Sequence, residues 1–98
     1  MNEKEIAKKI KPILEKQGVK KAALFGSQAR GDAKKNSDVD ILIQYENEDK
    51  NLFDFAELKL DIEEVLKRKV DLVTYNSLHP LLRDIILNEQ KLIYEKGT

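Results

Sequence analysis

The sequence has 98 residues, no cysteine, and 18 basic residues against 18 acidic ones, so its formal net charge is zero. This length predicts a single domain spanning residues 1–98. The missing cysteines exclude a disulfide framework and a thiolate metal site and favour a cytoplasmic protein. The balanced charge argues against stable nucleic-acid binding, and no apolar run approaches the ~20 residues of a membrane span.

The first half of the chain predicts one helix and two strands. Apolar residues at helical spacing indicate a helix over residues 3–17, which Gly18 ends. Residues 19–25 form an apolar run that is typical of a strand. Residues 26–36 are expected to be a loop with at most a short helix, and residues 38–45 a second strand. The chain therefore crosses the predicted sheet twice before its midpoint.

The second half predicts two helices and two further strands. A helix over residues 52–67 is unusually apolar because it carries two apolar stripes. One stripe comprises Phe55, Leu58, Ile62 and Val65, and the other comprises Phe53, Ala56 and Leu60. A third strand covers residues 70–75, a helix that begins at Pro80 ends near residue 88, and a short strand covers residues 91–94. This order predicts an α+β (mixed α/β) fold, with helices packed on a small mixed sheet of about four strands.

The loop after the first strand carries candidate anion-binding residues. Glycine at position 26 would let backbone N–H groups approach an anion closely, and Ser27 can add a hydroxyl donor to a phosphate oxygen. The guanidinium of Arg30 can pair with phosphates or with neighbouring carboxylates. The alternative interpretation of the same residues is an ordinary strand-to-helix turn followed by a surface arginine.

Two aspartates open the second predicted strand. Asp38 and Asp40 are two residues apart, so in a strand their side chains point to the same face. Aspartate is disfavoured in strands, and a pair of hard oxygen ligands suits Mg²⁺, which leaves its other positions to water and phosphate oxygens. The alternative is that Ser37 and Asp38 form a polar turn, which leaves a single exposed aspartate on the strand.

A third aspartate, Asp71, interrupts the apolar run of the third predicted strand. An unpaired carboxylate is costly to bury there. If this strand lies beside the second one, three carboxylates converge and can hold two metal ions, which stabilise the attacking and leaving oxygens of an in-line displacement. The alternative is an aspartate at an exposed strand start.

Taken together, these motifs resemble the signature of the DNA-polymerase-beta-like nucleotidyltransferase superfamily. In chain order they are Gly26-Ser27-x-x-Arg30-Gly31, Ser37-Asp38-x-Asp40 and Asp71. The short length and the Phe-Gly-Ser-x-Ala-Arg-Gly form are similar to those of the minimal nucleotidyltransferases, the antitoxin halves of HEPN/MNT toxin–antitoxin pairs. The resemblance spans about residues 20–75 and implies the nucleotidyltransferase fold.

The resemblance also implies a role for each matching residue. Gly26 and Ser27 would grip the triphosphate of the substrate, and Arg30 matches the arginine of the family. Asp38 and Asp40 would each bind both Mg²⁺ ions. Asp71 would complete the metal site and act on the acceptor hydroxyl, so the three aspartates would be the catalytic residues.

The implied activity is Mg²⁺-dependent transfer of AMP from ATP to a protein hydroxyl, with a tyrosine of a partner HEPN ribonuclease toxin as the acceptor. A non-catalytic antitoxin that covers the toxin is an alternative, because the doubly apolar helix and the acidic residues Glu46, Glu48 and Asp49 suit a partner surface. An antibiotic-type nucleotidyltransferase shares the motif but has a drug-binding domain that this sequence lacks. A homo- or hetero-oligomeric state is left open.

Overall fold

A computed structural model of the chain describes residues 2–31 and 38–97. The helices and strands of these residues are α1 (Glu3–Lys16), β1 (Val19–Phe25), α2 (Gly26–Arg30), β2 (Val39–Tyr45), α3 (Leu52–Leu66), β3 (Val70–Thr74), α4 (Pro80–Glu89) and β4 (Lys91–Glu95). A short 3₁₀ turn over Tyr75–Ser77 follows β3. The α+β (mixed α/β) prediction is confirmed, and no bound of the seven predicted helices and strands is wrong by more than one residue.

The strands form one mixed sheet in the order β3-β2-β1-β4. Strand β1 pairs antiparallel with both β2 and β4, whereas β2 and β3 are parallel. Two parallel strands need a crossover connection that returns the chain to the end of the sheet where the first strand began, and α3 provides it. The starts of β2 and β3 therefore lie side by side.

Side chains alternate along the strands, so the sheet has two faces. The core face is covered by α1 and α3 and buries most of the apolar side chains, with Ile6, Ile41 and Ile62 completely buried. The opposite face, called the α4 face below, carries a smaller cluster built on Ala23, Leu42 and Tyr75, and α4 packs against it. Helix α4 itself contains no buried residue, so it is held less tightly than α1 and α3.

Helix α3 buries part of the first of its two apolar stripes. Its buried residues are Leu58, Ile62 and Leu66, which recur every four residues and therefore share one line along the helix. Val65, which its spacing places on the first stripe, is 39% exposed. The predicted second stripe faces solvent, because Phe53 and Leu60 are both exposed. Among the described residues, no helix combines the length and the hydrophobicity that crossing a membrane requires.

Candidate active site

Asp40 and Asp71 lie side by side at the starts of β2 and β3. The parallel register pairs Asp40 with Asp71. Their strand neighbours are buried in the core face, so both aspartates project from the α4 face. The structure thus meets the geometric condition under which Asp71 can act together with the aspartates of the second strand.

Two hydrogen bonds fix this register at the strand starts. The Val39 N–H donates to the carbonyl of Lys69 over 3.0 Å and joins the beginnings of β2 and β3 directly. The Val70 N–H donates to Oε2 of Glu63 over 2.8 Å, so a carboxylate of α3 holds the residue just before Asp71. Helix α3 therefore contributes to the placement of Asp71 from the core face.

The three aspartates differ in their surroundings. Asp38 and Asp71 are exposed, whereas Asp40 is half-buried. Strand β2 begins at Val39, so the prediction that Asp38 opens the strand is wrong by one residue. Asp38 immediately precedes the strand. Ser37 of the sequence motif lies outside the described residues.

The electrostatic surroundings of Asp40 are strongly negative. The pKa of Asp40 is raised from 3.8 to about 6, first by burial and then by the neighbouring carboxylates of Asp71 and Asp38. The guanidinium of Arg30 opposes this shift, and the carboxylate of Glu89 adds to it. A half-buried carboxylate in such a field is a group that a bound cation would stabilise.

Gly26 brings the backbone of the first loop directly against Asp40. The chain leaves β1 opposite Asp40, which pairs with Phe25 in the antiparallel register. Gly26 has a φ of 67°, a conformation that favours glycine. A Cβ at this position would overlap Oδ2 of Asp40 and lie 3.1 Å from its Cγ. Both backbone conformation and space therefore require glycine here.

Helix α2 holds the other two predicted binding residues beside the aspartates. Ser27 is half-buried in the first turn of α2, directly after Gly26. Ala29 is only 5% exposed and joins the main core, which anchors this very short helix on the sheet. Arg30 lies at the end of the helix with a half-exposed side chain. Gly31 then ends α2 in the left-handed conformation.

Glu89 is a member of the site that the sequence did not reveal. The Gly26 N–H donates to Oε1 of Glu89 over 2.9 Å, and Nη1 of Arg30 lies 3.5 Å from Oε2 of the same carboxylate. Glu89 is the last residue of α4 and is 63 residues from Gly26. No motif or spacing connects the two positions, because only the packing of α4 on the sheet brings them together.

The donor chemistry of this site fits Mg²⁺. In residues 2–31 and 38–97, no three carboxylate, imidazole or thiolate side chains are gathered at metal-binding distances. The aspartates are thus neighbours without forming a closed set of ligands. Mg²⁺ commonly takes only one or two carboxylates and keeps water and phosphate oxygens as its remaining ligands. The expectation that Asp38, Asp40 and Asp71 hold two ions stays a prediction.

Sequence and structure comparisons give similar proteins. The family described as "Polymerase beta, Nucleotidyltransferase" matches residues 8–98. A relative from Methanocaldococcus jannaschii, named as a candidate protein adenylyltransferase, is 56% identical over 89 residues, which cover 91% of this chain and 95% of the relative.

Two solved structures share the fold. One is described as a candidate minimal nucleotidyltransferase; it has a TM-score of 0.79 and 33% identity and covers 93% of this chain and 95% of its own. The other is a toxin–antitoxin structure with AMP-PNP, with a TM-score of 0.78 and 25% identity over 93% of this chain and 74% of its own. The similarity therefore extends over nearly the whole chain in sequence and in structure.

Proposed function

The chain belongs to the polymerase beta nucleotidyltransferase family, and we propose that it transfers AMP from ATP to a hydroxyl group of a partner protein. The observation that carries this proposal is the in-register pair of Asp40 and Asp71 beside the Gly26 backbone. The name of the Methanocaldococcus relative supports protein as the acceptor. The structural neighbour with AMP-PNP supports an adenine nucleotide as the donor.

Each site residue then has a role in an in-line displacement. Gly26, Ser27 and Arg30 would hold the triphosphate through a backbone N–H, a hydroxyl and a guanidinium. Asp38 and Asp40 would bind Mg²⁺, which when bound neutralises charge on the phosphate oxygens. Asp71 would orient the acceptor hydroxyl and take its proton.

The acceptor oxygen forms a bond to the α-phosphorus of ATP while the bond from that phosphorus to the bridging oxygen breaks. Pyrophosphate leaves with the electron pair of that bond. No covalent intermediate on the enzyme is required, because positioning and charge neutralisation can supply the rate. The chain therefore needs no nucleophilic side chain of its own in this site.

The proposed acceptor is a tyrosine of a HEPN ribonuclease toxin, which the modification would silence in the cytoplasm. The family resemblance supports a toxin partner, and so does the toxin–antitoxin structure among the neighbours. Asp71 is exposed, so a side chain presented by another protein can reach it. The enzyme would then act as an antitoxin by chemistry rather than by binding alone.

The test uses the purified protein, ATP labelled at the α-phosphate, Mg²⁺ and the product of the neighbouring gene. We expect label on the partner with the wild type, and a loss of at least about a hundredfold in rate when Asp38→Asn and Asp40→Asn are combined. Glu64→Gln is the matched control, because Glu64 is an exposed carboxylate on α3. Absent transfer, or undiminished transfer by the double variant, would contradict the proposal.

A second candidate is an antitoxin that neutralises its toxin by covering it. It is favoured by large apolar side chains that are more than half exposed: Leu52, Phe53, Leu60, Leu81, Leu82, Ile85 and Leu92. A protein with this much exposed apolar surface commonly has a partner. A triple variant with Asp38, Asp40 and Asp71 changed to Asn separates the candidates. Toxin inhibition by that variant would favour covering, whereas complex formation without inhibition would exclude it.

A further inference from the structure

The carboxylate of Glu89 lies between two groups that the proposed function assigns to the triphosphate. One carboxylate oxygen accepts the Gly26 N–H over 2.9 Å, and the other lies 3.5 Å from Nη1 of Arg30. The side chain of Glu89 is only 22% exposed. The carboxylate of Glu89 thus places its two oxygens at a backbone N–H and a guanidinium, as two oxygens of a bound phosphate would.

Glu89 and a bound phosphate would compete for the same donors. A backbone N–H has a single hydrogen, so Gly26 cannot give a full hydrogen bond to both anions at once. A triphosphate beside Glu89 would also meet the like charge of its carboxylate. We propose that Glu89 occupies the anion position of the nucleotide-free protein and is displaced when the triphosphate binds. This inference rests on the proposed function, in which Gly26 and Arg30 hold the nucleotide.

The attachment of α4 fits a displaceable group. Helix α4 contains no buried residue, and its partly buried Ile86 and Leu87 pack against a cluster of only three buried residues. Glu89 ends the helix, so a change of its side-chain rotamer does not require the rest of α4 to leave the sheet. The protein would therefore lower its own affinity for nucleotide by the fraction of time that Glu89 fills the site.

The experiment compares three variants on α4 with the wild type. Glu89→Gln keeps the shape but removes the charge, and Glu89→Asp keeps the charge but shortens the side chain by one methylene. Asp84→Asn is the control because it makes the same charge change at an exposed position of the same helix. Affinity for inorganic tripolyphosphate with Mg²⁺ is measured by calorimetry, and kcat and KM for ATP are measured in the transfer assay.

We expect Glu89→Gln to bind tripolyphosphate roughly three- to tenfold more tightly, because its amide oxygen competes for the Gly26 N–H without the charge that strengthens this bond and repels the phosphate. The KM for ATP should fall by a similar factor with kcat unchanged. Glu89→Asp should lie between the wild type and Glu89→Gln, because its carboxylate reaches the Gly26 N–H less well. Asp84→Asn should match the wild type.

Equal or weaker tripolyphosphate binding by both Glu89 variants would overturn the inference. A fall in kcat at unchanged KM would also overturn it, since Glu89 would then support the site rather than block it. Tighter tripolyphosphate binding without AMP transfer by any protein would count against the proposed function and leave the displacement of Glu89 supported. The two ideas therefore fail separately.

Discussion

The two faces of the sheet are built from the same strands but are stabilised differently. On the core face, α1 and α3 bury apolar side chains completely, and no charged residue of the described chain is buried among them. On the α4 face of the described chain, a cluster of three buried residues is covered by side chains that are only partly buried. Asp40 and Asp71 project from the strands of this face, and Arg30 and Glu89 act on the charge of Asp40.

This difference separates stability from chemistry. Close packing of apolar side chains stabilises the fold, whereas like charges near a half-buried carboxylate oppose it. Carboxylates at one end of the α4 face are tolerated because the core face holds the same strands in register. Substitutions on the two faces should therefore affect different measurements.

The largest effect on stability is expected on the core face, from Ile62→Ala. Ile62 is completely buried between α3 and the sheet, so truncation leaves a cavity and should lower the free energy of unfolding by about 2–5 kcal/mol. Chemical denaturation measures this change. AMP transfer per folded molecule should remain close to that of the wild type.

Leu60→Ala is the matched control, since Leu60 lies two residues away on the same helix and is 62% exposed. It should change the free energy of unfolding by less than about 0.5 kcal/mol. Equal losses from the two variants would show that α3 does not divide into a core side and a solvent side.

A pair of glycines separates crowding in the site from backbone strain. Gly26 and Gly31 have φ values of 67° and 81°, so alanine at either position costs about 1–2 kcal/mol of stability. Only at Gly26 would the new Cβ meet Asp40, because at Gly31 no atom of the described residues lies within 4 Å of one. Gly26→Ala should therefore reduce AMP transfer by about a hundredfold, whereas Gly31→Ala should reduce it much less.

Transfer rates and denaturation curves of both variants measure this contrast. The comparison would be contradicted if Gly31→Ala lost as much activity as Gly26→Ala at similar stability. Strain in the turn, rather than contact with the carboxylate, would then explain the glycine.

These predictions also show what the sequence could and could not establish. The strands and helices followed from apolar residues at strand or helix spacing, which turn residues such as Gly18 interrupt. Two apolar stripes on α3 left its buried side open, and only the tertiary packing of the helix selects Leu66 rather than Val65 for burial. The family motif led to Gly26, Asp40 and Asp71 as neighbours, since the topology brings the end of β1 beside the starts of β2 and β3.

Glu89 could not be predicted in the same way. Its contact with Gly26 depends on how α4 lies on the sheet, and the sequence of α4 carries only a helical pattern. The hydrogen bond from the Val70 N–H to Glu63 could not be predicted for the same reason. Glu63 supports β3 from the core face, whereas Asp71 projects from the α4 face. Contacts of this kind depend on tertiary geometry that local spacing does not encode.

Smaller effects on stability and AMP transfer are expected from Glu63→Ala, because Glu63 supports from the core face the strand that carries Asp71. The substitution removes the carboxylate that accepts the Val70 N–H over 2.8 Å, which should cost about 1 kcal/mol of stability. The start of β3 should become less rigid, so AMP transfer should fall several-fold through the position of Asp71. Glu64→Ala, at the exposed neighbouring position, should leave both quantities nearly unchanged. A loss of stability without any loss of transfer would show that Glu63 supports the fold alone.

The smallest effect concerns pH and the metal-free protein. The pKa of Asp40 is raised to about 6 from 3.8, first by burial and then by the neighbouring carboxylates. Between these values the folded state binds more protons than the unfolded state, so this residue's contribution makes the protein more stable as pH falls through 6 toward 4. In EDTA, Asp40→Asn should thus raise Tm at pH 7.5, and the gain over the wild type should shrink toward pH 5, where Asp40 is itself neutral.

Asp84→Asn is the control and should not raise Tm in this way, because Asp84 is exposed and is not one of the carboxylates that act on Asp40. Added Mg²⁺ should reduce the gain at pH 7.5, since a cation beside Asp40 offsets the repulsion that the substitution removes. A Tm difference that stayed constant from pH 7.5 to pH 5 would show that the charge of Asp40 does not oppose folding. The weaker stabilisation of the α4 face would then result from its smaller apolar cluster alone.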